Sequence, residues 1–200
     1  MAGLDLIAQL RSNGYEIPKI SVNVSAHSLR RPNFCSEFTK SLKSRGLMPG
    51  DVLIEVLETT LIEKSGDQVI STVTELSRAG YGIAIDDFGT GYSSLSMVVK
   101  LDISELKIDR SLVLEMDSRK GQEALEAIVA LAKRTNLTVV AEGIETTAQF
   151  VALKAIGCDV AQGFKFGYPM SMDDTRTWID NYGKATIHHL GYQQRNLQLN

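Results

Sequence analysis

Six places in this sequence put a polar side chain that chemistry could use at the end of an apolar run. They are Asn23, Glu55, the adjacent Asp86 and Asp87, Lys107, Glu142 and Gln162. A carboxylate buried without a partner costs roughly several kcal/mol, on the order of a domain's whole stability. Such residues at the ends of successive strands are tolerable only where they converge on a cation or on each other. Asn and carboxylate oxygens are hard ligands suited to Mg²⁺ or Mn²⁺. Asp86 and Asp87 can serve two metals if the strand breaks at that point, one carboxylate then bridging. Lys107 among carboxylates stays charged, able to hold an attacking water or a phosphate oxygen. Two metals about 3.5–4 Å apart can activate a water and stabilise the leaving oxygen of a phosphodiester.

Taken singly, each residue has a plainer reading. A lone strand glutamate such as Glu55 is more often part of an internal salt bridge. Paired aspartates before a Gly-rich turn are more often turn chemistry, accepting backbone N–H bonds. Asn23 could be a strand-end hydrogen-bonding residue, Lys107 could pair only with Asp109, and Gln162 could cap a backbone group. His27, His188 and His189 have no ligand spacing and receive no role. Six polar positions in register is the feature that these readings handle poorly.

The elements that must position them alternate. Strands are expected at about 20–24 and in DVLIEVLE, GIAIDDF, SELKID, LTVVAEG and CDVAQGF, where β-branched residues concentrate. Between them lie FCSEFTKSLKSRG, GDQVISTVTELSRAG, GQEALEAIVALAKRTN and TTAQFVALKAIG, read as helices that close on Gly or Asn, and SSLSMVVKL, read as a short helix. A helix opens the chain with Leu4, Ile7 and Leu10 on one face, and SMDDTRTWIDNY closes it. This is an α/β pattern with parallel strands. Residues 1–182 form one barrel domain, and 183–200 a polar tail expected to be irregular.

The chain has 200 residues, 44% of them hydrophobic and 22% charged, with a formal net charge of −3. That balance speaks against a sequence-wide binder of DNA or acidic membranes. Cys35 and Cys158 make no C-x-x-C pair and no disulfide framework, which fits a reducing, cytoplasmic compartment. No apolar run approaches the roughly 18 residues of a membrane span, although a longer parent protein could be membrane-anchored.

In order, SVNVSA, IEVLETTLIE, AIDDFGTGYSSL, LDISELKIDRS, VVAEGIET and VAQGFKFGYP resemble the successive motifs of the EAL domain family. These are bacterial phosphodiesterases that hydrolyse the second messenger cyclic di-GMP to linear pGpG. The resemblance runs from about Leu4 to Ile179. It implies a TIM-like (β/α) barrel with a two-metal site for Mg²⁺ or Mn²⁺. By resemblance Asn23, Glu55 and Asp86 hold the first metal. Asp86 also bridges, and Asp87 and Glu142 lie on the second metal's side. Lys107 contacts the catalytic water, with Gln162 beside it. Glu58 anchors the loop after the paired aspartates, and Asp109 and Glu145 are further active-site or substrate-contacting acids. The loop Phe88–Leu95 is associated with homodimer contacts, and sensory or GGDEF domains are expected in a longer parent.

Two departures carry consequences. The Glu-Ala-Leu strand that names the family is absent; EALE at Glu123–Glu126 lies in an amphipathic helix and is no substitute. About six of eight strands are therefore expected, with two open edges and one metal ligand missing. The expectation is an N-terminally truncated domain that, as it stands, binds metal weakly and hydrolyses cyclic di-GMP poorly or not at all. Tyr168 also stands where the family often has a basic residue, and His27-Ser28 where it has Arg-Gln. The alternative is a catalytically inactive module that binds cyclic di-GMP or dimerises.

Overall fold

The computed structural model describes residues 2–15, 19–62, 66–90, 95–179 and 197–198. Six strands follow one another in the chain and in space: β1 (Ile20–Asn23), β2 (Val52–Leu57), β3 (Gly82–Phe88), β4 (Glu105–Ile108), β5 (Thr138–Ala141) and β6 (Val160–Ala161). Every neighbouring pair is parallel, so each connection must cross back over the sheet through helix. The helices are α1 (Ala2–Ser12), α2 (Ala26–Leu29), α3 (Phe34–Lys43), α4 (Glu58–Ile62), α5 (Gly66–Arg78), α6 (Leu95–Lys100), α7 (Arg110–Leu114), α8 (Arg119–Arg134), α9 (Thr147–Ile156) and α10 (Met172–Trp178). Six parallel strands in sequence order, with helices between them, make an incomplete TIM-like (β/α) barrel.

Strand alternation divides the side chains between two faces. Ile54, Val56, Ile83, Ile85, Leu106, Ile108, Val139 and Ala141 are almost fully buried and join one apolar core with helix residues such as Val69, Val73, Leu76, Leu125 and Val129. The alternating positions, Glu55, Asp86 and Lys107, fall on the other face and are buried as well. The long helices follow ordinary rules. Ser118 caps α8 by accepting from the Gly121 N–H, and Thr146 and Gln149 form a reciprocal cap on α9. Gly157, at φ 99°, ends α9 in the left-handed conformation that glycine adopts freely.

Three short helices have no counterpart in the sequence expectations. α2, α4 and α7 span only four or five residues, too few for apolar periodicity to register. All three come at or just after a strand's carboxyl end, where they turn the chain back outward. β6 is shorter than CDVAQGF suggested, only Val160–Ala161. Most of the expected irregular tail lies outside the described residues. The exception is β7 (Leu197–Gln198), which pairs parallel with β1 at Ile20 and Ser21.

Candidate metal centre

The site forms where the β3–β4 ladder loses register. Ala84 pairs with Glu105 and Ile85 with Leu106, but the next pairing is Phe88 with Ile108. Two residues, Asp86 and Asp87, thus oppose the single residue Lys107. Such a bulge kinks the strand and re-aims its side chains. Asp87 absorbs the extra residue with φ 55°, a left-handed conformation that Asp tolerates better than most residues. The alternation that would send the two carboxylates to opposite faces is broken here. Asp86, Asp87 and Glu142 each offer a carboxylate oxygen, and these oxygens lie within 4.8 Å of one another.

Lys107 is at the centre. Its side chain is only 1% exposed, and its Nζ lies 3.1 Å from Glu55 Oε1, 2.9 Å from Asp86 Oδ1 and 2.7 Å from Glu142 Oε1. Burial alone would favour a neutral amine. The three carboxylates, Glu142 foremost, outweigh it and hold the lysine pKa above its ordinary value. Lys107 is therefore a charged hydrogen-bond donor, and its partners are these acids, from β2, β3 and the residue just past β5, where pairing with Asp109 was the plainer reading.

One cation does not balance four acids. Glu55, Asp86, Asp87 and Glu142 around Lys107 leave a formal excess of three negative charges. The strain appears in the protonation equilibria. Burial, reinforced by Asp86 and Glu55, pushes Glu142 up to about 7 despite Lys107. Asp87 is raised too, by burial first and then by Asp86 and Asp109. A cluster of acids with this excess of negative charge is one that divalent cations would neutralise, and its oxygens are the hard donors such cations prefer. The residues present therefore fit a divalent metal centre.

The other expected site residues fall into different circumstances. Glu58, 1% exposed at the start of α4, accepts a 2.9 Å hydrogen bond from the Gly89 N–H. It ties the turn after the paired aspartates to the start of α4, just past β2. Residues 91–94 of the expected dimerisation loop lie outside the described residues. Asn23 sits at the exposed end of β1, in register with Glu55. Gln162 follows β6, its N–H bonded to the Ala141 carbonyl and its own carbonyl accepting from Ile144. Asp109 caps α7 through the Ser111 N–H at 2.9 Å. Glu145 is exposed and paired with Arg110 at 2.7 Å. The sequence reading passed over Arg110 and Gly143; the one signal available was a Gly directly after the strand-end Glu142.

The EAL domain family model matches residues 2–169. The bifunctional diguanylate cyclase/cyclic di-GMP phosphodiesterase MucR of Pseudomonas aeruginosa is 41% identical over 152 residues, 76% of this chain and 22% of that protein. The chain spans about a fifth of the length of such curated relatives, 22% again for the oxygen sensor protein DosP of Escherichia coli. A solved MucR phosphodiesterase in complex with cyclic di-GMP superposes with a TM-score of 0.80 at 36% identity, covering 87% of this chain and 70% of that one. BlrP1 of Klebsiella pneumoniae, solved with manganese and cyclic di-GMP, gives 0.75 at 34% identity, covering 82% and 41%. The chain belongs to the EAL domain family.

Proposed function

We propose that the site carried by this EAL domain serves the hydrolysis of cyclic di-GMP to linear pGpG with bound divalent cations, Mg²⁺ or Mn²⁺, in a two-metal site. The observation that carries the reading is the bulge that sets Asp86 and Asp87 together opposite Lys107. Asn23, Glu55 and Asp86 would hold one cation, and Asp86, Asp87 and Glu142 the other. Bound cations would supply Lewis-acid stabilisation of phosphoryl oxygens and a lowered pKa for the attacking water.

The protein's own groups do the positioning. Lys107 stays protonated, so it donates to the attacking water and does not act as a base. Gln162, just past the end of β6 and two strands along the sheet from Lys107, orients the same water. Asp109 and Glu145 line the rim as acids that contact the substrate. Glu58 keeps the turn at Gly89 in place, and with it the approach to Asp87. In a longer parent, sensory or GGDEF domains would govern this site, and the loop Phe88–Leu95 would supply homodimer contacts. Complexes of similar domains with cyclic di-GMP support the choice of ligand.

The test measures cyclic di-GMP binding by calorimetry with Ca²⁺ and with chelator, and pGpG formation with Mg²⁺ or Mn²⁺. Cation-dependent binding that Asp86→Asn abolishes is expected, with turnover lost in the same variant. Binding that ignores the cation, or that Asp86→Asn leaves intact, would refute the reading.

A further inference from the structure

Glu142 lies just past β5, so the turn that follows it must be held still for its carboxylate to stay in the cluster. Gly143, at φ 67°, comes next. A Cβ there would fall 2.3–2.7 Å from Cγ, Cβ and Cδ of Arg110. The aliphatic stem of Arg110 thus lies directly on the Gly143 backbone. Its guanidinium continues to Glu145, at 2.7 Å. Glu145 is itself fixed, because its N–H and that of Thr146 both donate to Gln149 Oε1 in the α9 cap. On the other side, a Cβ on Gly163 would come within 2.3 Å of the Ile144 backbone. The turn Glu142–Glu145 is therefore clamped between Arg110 and the chain after β6. Arg110 belongs to the turn after Lys107, whose Asp109 caps α7. One side chain thus couples the strand ends that carry Lys107 and Glu142.

We infer that Arg110 is a positioning residue for the metal centre: its stem, latched by Glu145, holds Gly143 and so fixes the carboxylate of Glu142. The inference rests on the metal-centre reading above and goes beyond it, because the polar contact of Arg110 is with Glu145, outside the clustered acids. Outer partners of metal ligands commonly matter to affinity by about 10–100-fold, and a partially exposed latch belongs near the low end.

The experiment titrates Mn²⁺ into the 200-residue chain and follows free Mn²⁺ by electron paramagnetic resonance, with circular dichroism to confirm folding. Arg110→Ala should weaken Mn²⁺ binding by about tenfold. Arg110→Met, which keeps the stem over Gly143 and loses the charge, should recover most of that loss. Neither effect needs substrate, so a role in contacting substrate would not produce them. A folded Arg110→Ala chain that binds Mn²⁺ as tightly as the parent overturns the inference. So does an Arg110→Met chain as weak as the alanine variant, because the stem is what does the holding. If the parent chain itself takes up no Mn²⁺, the metal-centre reading fails first and this inference falls with it.

Discussion

Replacing Lys107 by methionine tests the central claim that this lysine is the resident counter-ion of a site made for cations. The substitution keeps the buried volume and removes one charge. Three carboxylates then lose a shared donor, which stood 2.7, 2.9 and 3.1 Å away. Removing one partner of a buried ion pair costs about 3–5 kcal/mol. The low end applies near neutral pH, because Glu142, already pushed up to about 7, can take a proton and shed part of the repulsion. For a chain of this size roughly 3 kcal/mol corresponds to a fall of roughly 6–12 °C in melting temperature. The assay is thermal and urea unfolding in chelator, repeated with millimolar Mn²⁺. A cation that binds only the folded state stabilises it by mass action, and without Lys107 the lysine ammonium no longer competes with it for the carboxylates. Mn²⁺ should therefore raise the variant's stability by more than the parent's. A variant as stable as the parent in chelator, or one that gains less from Mn²⁺, would refute the reasoning.

Three further outcomes are expected. In chelator, stability should decline as pH rises. The folded-state pKa of Glu142 is raised from 4.5 to about 7, so the folded form binds the proton more tightly. Its contribution is complete below about pH 4.5 and is lost as pH passes about 7, by up to roughly 3 kcal/mol; urea titrations at several pH values should show this slope and its flattening by Mn²⁺. Glu58→Gln should weaken the hold on the Gly89 N–H, exchanging a charge-assisted bond for a neutral one worth roughly 1 kcal/mol less, and amide exchange at Gly89 should speed up accordingly. Gly89→Ala meets two obstacles, a left-handed φ of 103° and Leu112 Cδ1 at 2.0 Å from the added Cβ. It should cost about 1–3 kcal/mol, read as a lowered urea midpoint.

The parallel order of strands and the polar residue at each strand end were legible because both depend on local pattern. Runs such as VLIEVL and GIAIDDF announce buried strands, and a charged residue inside such a run stands out. What the pattern could not supply is register between strands. The sequence offered Asp86 and Asp87 as neighbours, and strict alternation would have separated them. Only the slip against β4 brings both toward Glu142. The partners of Lys107 were similarly out of reach, since Glu55 and Glu142 are separated from it by long connections and only the ladder brings them to Nζ. Asp109 shows the same limit at a strand end. It shares a strand face with Lys107 in the sequence pattern, yet the strand ends at Ile108, and Asp109 turns its carboxylate to the first N–H groups of α7. A helix of five residues leaves no periodic trace, so the capping bond of Asp109 had no signal in the sequence. The same turn carries Arg110, and its contact with Gly143 depends on how two strand ends lie side by side. In this barrel the chemistry-bearing residue types are local information, whereas their supporting contacts are made by the packing of one βα turn against the next.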